Sequence, residues 1–398
     1  MRRSLAAVVA LGLVSCSSQV QAPKGEALIV VSAPLSAQPW IGGFLKKGAQ
    51  LAAKQLNAAG GRQLRIEVLD NGGSAQTAAA NARQAVAEHA SVLLVDGVGA
   101  KAIAAITDPV KLPVFITFSG GSELIDPKAR PTLFRMAPAN TYLCRRLADY
   151  LADTQKGKPV ALLSDDSDYG REGAADVRSN LLHDEVKVAS EQSVPEGARD
   201  VSAQVLQARR SGAKVVVVWA EASGVAAVVR AIHSSGWDPV IYTGPTGEDP
   251  LLRQTLADKP EWVDGLGFVS FRITSEVGGE PFAAYRKAYD QEYGPDEVGV
   301  SFGGKKVLSP PDWSTYPYDS VRLVAAAVAR AGSTDSAKVY AALQQVTITG
   351  ANGDERGFGP DDREGVSPDD MYFAHFKDMR FQPNRDDILS TNLPPVPQ

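Results

Sequence analysis

The strongest constraint in this chain is a recurring alternation of short apolar runs with helix-length segments. Residues 27–33 read ALIVVSA, 91–96 SVLLVD, 113–117 PVFIT, 159–164 PVALLS and 213–219 AKVVVVW. These runs are largely continuous rather than alternating. Strands of that kind are covered on both faces, as in a parallel sheet packed between helices. Helical spacing separates them at 42–59, 75–89 and 101–108, with an alternating strand at 64–69. After residue 138 the pattern restarts, with helices at 140–155, 170–182, 198–211 and 224–235 and strands at 159–164, 186–192, 213–219 and 239–243. Two βα series of similar size predict an α/β chain of two doubly wound parallel-sheet lobes. A chain of 398 residues has ample apolar surface for such cores without staples.

Beyond residue 264 the pattern loosens. A strand is predicted at 265–271 and a helix at 282–293, where Phe282, Tyr285, Tyr289 and Tyr293 form a core-facing stripe. Residues 294–313 are rich in Gly, Pro and Ser and predict a long loop. Helices follow at 318–331 and 336–345, then a late strand at 371–377 and a frayed tail.

The N-terminus is a targeting segment. Met1-Arg2-Arg3-Ser4 is basic, residues 5–14 are apolar, and Ser15-Cys16 follow. An apolar helix of that length rises about 15 Å, half a bilayer core, so it reads as a secretory signal peptide and not as an anchor. Leu13-Val14-Ser15-Cys16 resembles a bacterial lipoprotein box. The resemblance implies cleavage after residue 15, lipidation of Cys16, and a tether over 16–26. An ordinary signal peptide with a chance cysteine is the alternative.

Several chemistries find no motif. Lys plus Arg total 41 against 46 for Asp plus Glu, a formal charge of −5, so nucleic acid is not an expected partner. There is no phosphate-binding G-x-x-x-x-G-K-[ST] loop, and Gly97-Val98-Gly99 lacks the third glycine of a dinucleotide fingerprint. The four histidines are isolated from one another and from cysteine, so no metal is expected. Ser119-Gly120-Gly121-Ser122 superficially resembles a nucleophile turn but has no base partner in view. No catalytic constellation and no cofactor are expected.

In open parallel α/β sheets, ligands bind outside the carboxyl ends of the strands. The segments there are 34–40, which ends in Trp40; Gly97, Val98 and Gly99 with Ala100; and Phe118, Ser119 and Gly120. In the second series they are 165–170, with Tyr169; 220–223, with Glu221; and 244–248, with Thr246 and Glu248. Hydroxyls, exposed amides, aromatic rings and acids together suit a small zwitterion with an apolar body. Each segment taken singly is also an ordinary turn.

These features resemble the type I periplasmic binding proteins, above all the leucine/isoleucine/valine-binding receptors of ABC importers. The matching stretches include Ala33-Pro34-Leu35-Ser36, Leu56 through Gly61, Leu112 through Thr117, Asp168-Tyr169-Gly170, Tyr242 through Pro245, Tyr318-Asp319-Ser320 and Gly350 through Gly357. The resemblance implies two lobes joined by three hinge crossovers, near Pro138, Ser270 and Phe373. Lobe one would comprise 27–138 plus 271–372, and lobe two 139–270 plus 373–398. It further implies capture of an amino acid or related carboxylate or amide by hinge closure, delivery to an ABC permease, an extracytoplasmic location and a monomeric state. By the same resemblance the 97–99 loop and Ser119 would hold a carboxylate, and Tyr169 would be an aromatic wall.

Two positions depart from the family. Its amino-acid binders carry an ammonium-pairing glutamate where this chain has Thr246, and a hydroxyl is usual near Gly121. Glu221 or Glu248 would replace the missing acid, or the ligand carries no ammonium. A sensory receptor of the same fold, a hydrolase using Ser119 or acidic pairs, and an envelope lipoprotein without a ligand are the alternatives.

Overall fold

The computed structural model describes residues 25–271, 280–309, 311–384 and 386. The expected signal peptide, Cys16, most of the tether and residues 387–398 lie outside them. The first series folds as β1 (Ala27–Ala33), α1 (Pro39–Ala58), β2 (Leu64–Asp70), α2 (Ala75–Ala87), β3 (Val92–Val95), α3 (Ala100–Thr107), β4 (Val114–Ile116) and β5 (Leu133–Arg135). Among the described residues its strands form a parallel sheet in the order β2-β1-β3-β4-β5. Every residue of β1 is buried. Ile29 and Val31 join one core cluster with Phe44 and Leu45 of α1, while Leu28 and Val30 join another with Ala78 and Ala82 of α2. Burial on both faces is why the run is apolar throughout, and each such Val or Ile contributes about 1.5–3 kcal/mol.

The second series is α4 (Asn140–Thr154), β6 (Val160–Asp165), α5 (Asp168–His183), β7 (Val188–Val194), α6 (Ser202–Arg210), β8 (Val215–Trp219), α7 (Ala222–Ser234), β9 (Val240–Thr243), α8 (Pro250–Thr255) and β10 (Gly267–Phe271). The remainder is α9 (Glu280–Tyr293), β11 (Asp296–Phe302), β12 (Lys305–Ser309), α10 (Thr315–Ala331), α11 (Ser336–Leu343), β13 (Thr347–Thr349), β14 (Glu355–Gly357), β15 (Met371–Lys377) and β16 (Arg380–Pro383). The larger sheet runs β16-β15-β10-β9-β8-β6-β7 among the described residues. β15 and β16 are its antiparallel members. The chain therefore crosses between sheets three times: after β5, after β10, and before β15. In the middle excursion α10 packs on α1, within the first lobe.

Two expectations change. Residues 294–313 are not a long loop, because β11 and β12 pair as an antiparallel hairpin with an irregular register. Val298 and Val307 enter the core cluster of Val216, Phe268 and Phe376, so the hairpin is held by the second sheet's core. β5 had no counterpart in the sequence reading. Its Arg135 is 2% exposed, and its Nε donates to Glu364 at 2.7 Å. A charge compensated from far along the chain hid a buried strand.

Candidate functional site

The carboxyl ends of both sheets border a cavity of about 450 Å³. Its walls come from the loops after β1, β3 and β4 on one side and after β6, β8 and β9 on the other. α1 begins at Pro39, suited to a first helical position, and its first turn carries Trp40 into the cleft. Trp40 lies 6.5 Å from Phe118 and 6.2 Å from Trp313 between ring centroids, and Phe118 lies 5.0 Å from Trp313. These rings make an aromatic wall on the first lobe.

The β3 loop turns at Gly97, whose φ of +127° suits glycine, and a Cβ there would lie 2.3 Å from that of Ser119. Ser119 is thereby seated against the loop, and its amide donates to the Asp96 carbonyl at 2.8 Å. Asp96 itself is 3% exposed and lines the cavity. Its carboxylate accepts from Asn71 at 3.0 Å and lies against the Gly97 and Val98 amides, but burial prevails and raises its pKa.

On the second lobe, Ser167 caps α5 by accepting the Gly170 amide at 2.9 Å, which sets Tyr169 in the first turn. Tyr169 lies 5.7 Å from the buried Trp219 ring. Its hydroxyl is buried without a hydrogen-bond partner, and burial raises its pKa well above the usual value. Glu221 precedes α7, and its amide donates to the buried Asp165 carboxylate at 2.7 Å. Its side chain still reaches cleft water, yet its pKa is pushed up to about 7, by partial burial first, then by the charges of Asp165, Asp249 and Glu196. Thr246 donates to the Ala220 carbonyl at 2.8 Å. Asp249 caps α8, accepting the Leu251 amide at 2.7 Å, and is raised by burial.

Of the residues expected at the site, Trp40, Gly97, Val98, Phe118, Ser119, Gly120, Tyr169, Glu221 and Thr246 all border this cavity. Gly99 and Glu248 do not. Gly99 instead precedes α3 at a φ of 71°, close against Ala75. Glu248 turns inward to a buried cluster with Arg253 and Asp312, beside a separate cavity of about 150 Å³. Burial first, and then Asp312, raises Glu248. Glu248 therefore supplies no acid to the cleft.

Sequence reasoning missed Asp96, Glu123, Asn140, Glu172, Asp249 and Trp313, which also line it. Asp96 closes an apolar run and is visible as a strand end. Glu172 is one of several polar residues on the exposed face of α5, with nothing to single it out. Trp313 fell in the segment read as a loop. Among the described residues, no three or more His, Cys, Asp or Glu side chains come together so as to hold a metal ion.

Two α/β lobes with a ligand-sized cavity between their strand ends define a solute-binding architecture. The family model described as periplasmic binding protein matches residues 35–380. The chain belongs to that family, whose members are solute-binding proteins. A Leu/Ile/Val-binding protein homologue of Brucella melitensis is 24% identical over 309 residues, covering 76% of this chain and 78% of that one. A type 1 periplasmic binding protein of Bordetella pertussis superposes with a TM-score of 0.77 at 19% identity, covering 90% of this chain and 100% of that one. The branched-chain amino acid transporter substrate-binding protein of Streptococcus pneumoniae, solved with isoleucine, superposes with a TM-score of 0.74 at 20% identity, over 90% and 98%. The family and the type I fold agree with the resemblance read from the sequence.

Proposed function

We propose that this chain is an extracytoplasmic solute-binding lipoprotein of an ABC importer, capturing a small organic solute of amino-acid size by hinge closure. The observation that carries this is the cavity of about 450 Å³ walled by strand-end loops of both lobes. A solute touching both walls stabilises the closed arrangement by its differential contacts. The lobes divide at the crossovers near Pro138, Ser270 and Phe373, except that the β11–β12 hairpin travels with the second. Lipidation of Cys16, a monomeric state and docking of the closed form on a membrane permease complete the proposal. The names of the relatives, which are amino-acid and Leu/Ile/Val binders, support the solute class.

The test is a thermal-shift screen of the full chain against amino acids, amides, carboxylates and amines, followed by solution scattering with each hit. A solute at a hundred times its dissociation constant adds about 2.7 kcal/mol of stability. The radius of gyration is expected to fall on binding. A folded chain that no compound stabilises or compacts refutes the proposal.

A further inference from the structure

Six acids line the cleft, namely Asp96, Glu123, Asp168, Glu172, Glu221 and Asp249, and among the described residues no lysine, arginine or histidine does. Lys101 answers Glu123 at 3.6 Å, and Arg171 pairs with Asp168. The other four have no ion-pair partner among the described residues. A cleft with walls of low dielectric focuses their field.

Acids alone do not make a site, but two independent features point the same way. Asn140 is 8% exposed, borders the cavity, and its side-chain amide makes no hydrogen bond among the described residues. Gly120 leaves room for it, since a Cβ there would lie 2.4 Å from the Asn140 Oδ1. Second, the Trp40, Phe118 and Trp313 rings line the cavity, and aromatic rings attract cations. The position where a ligand carboxylate would be held is meanwhile taken. Asp96 already sits against the Gly97 and Val98 amides and would repel a second carboxylate.

We infer that the cleft takes an organic cation, an amine with an apolar body and no carboxylate beside it, rather than a zwitterionic amino acid. This rests on the reading of the cleft as a solute site. The amine neutralises the unpaired acids, Asn140 supplies a neutral acceptor, and the rings cover the apolar body. Loss of the family's glutamate at Thr246 is then compensated by acids distributed around the cavity.

Three compounds with one branched apolar body separate the charge types: isoamylamine, leucine and 4-methylpentanoate. Calorimetric titration of the full chain at pH 8 and low salt is expected to give isoamylamine at least tenfold tighter binding than either of the others. Asp96→Asn should weaken isoamylamine at least tenfold and narrow its advantage over leucine. Glu221→Gln gives a second reading if Asp96→Asn fails to melt cooperatively. Binding of leucine or 4-methylpentanoate as tight as that of isoamylamine overturns the inference and leaves the solute-binding proposal standing. Binding of none of the three by folded protein overturns the inference, and the broader screen then decides the solute-binding proposal separately.

Discussion

Arg356 is a point where the structure makes a quantitative commitment. Its Nη1 donates to Asp370 at 2.5 Å, its Nε lies 3.8 Å from Asp319, and the side chains of Arg356 and Asp319 are each 1% exposed. Asp319 also accepts the Ala351 amide at 2.9 Å, which ties α10 to the chain leading toward β15. Replacing Arg356 with Met keeps most of the volume but strands the buried Asp370 carboxylate and leaves Asp319 with Arg322, at 3.3 Å, as its remaining cation. Breaking a buried pair from one side costs about 3–5 kcal/mol. The Lys306–Glu297 pair, at 2.7 Å with side chains 68% and 42% exposed, is the internal control. Lys306→Met should cost no more than about 1 kcal/mol. The assay is denaturant unfolding at pH 7.5, followed by far- and near-ultraviolet circular dichroism so that a single transition is verified. Burial already raises Asp319 to about 6 despite Arg356, so without the guanidinium its pKa rises further. A carboxyl raised in the fold is stabilising when protonated and loses that contribution as pH rises through its folded pKa. The deficit of Arg356→Met should therefore shrink on going from pH 7.5 to pH 5. Adding Asp370→Asn should recover part of it. A loss below about 1 kcal/mol, or one undiminished at pH 5, refutes the reasoning.

Two further outcomes follow from the cleft. Tyr169→Phe removes a hydroxyl that is sealed from the cleft and makes no well-formed hydrogen bond, so the ligand-free melting temperature in a thermal-shift assay should hold or rise, and a fall of several degrees would refute this. Glu221, raised to about 7 and facing Asp165, Asp249 and Glu196, should make the ligand-free protein less stable as pH rises from about 5 through 7. Glu221→Gln should flatten that part of the melting-temperature profile. An identical slope in both proteins assigns the dependence to another group.

Much of the fold was legible because it is written in local pattern. The ALIVVSA run of β1 is apolar throughout because helices cover both its faces, and the sequence reading set its limits at the residues observed. The late strand MYFAHFK was located equally well. The hairpin at β11 and β12 was hidden because its half-exposed strands carry few apolar residues, with Val298 and Val307 buried in the core and Val300 packed at its edge. β5 was hidden because its buried Arg135 finds Glu364 only in the folded chain.

At the cleft, the loops at strand ends were nameable in advance, since parallel sheets place ligands there by topology. Which acids face inward was not. Glu248 and Asp249 are neighbours in sequence, yet one turns into a buried cluster and the other borders the cavity. Asp96 follows β3, Glu172 lies in α5 and Asp249 caps α8, three places far apart in the chain.

The sequence by itself thus determined the layers, the two βα series and the ends of the strands that carry the site. These follow from hydrophobic periodicity and turn chemistry, which act over a few residues. Only the tertiary structure decided the charge of the cleft, because that charge is a sum over side chains brought together from distant segments, each able to turn toward the cavity or away from it.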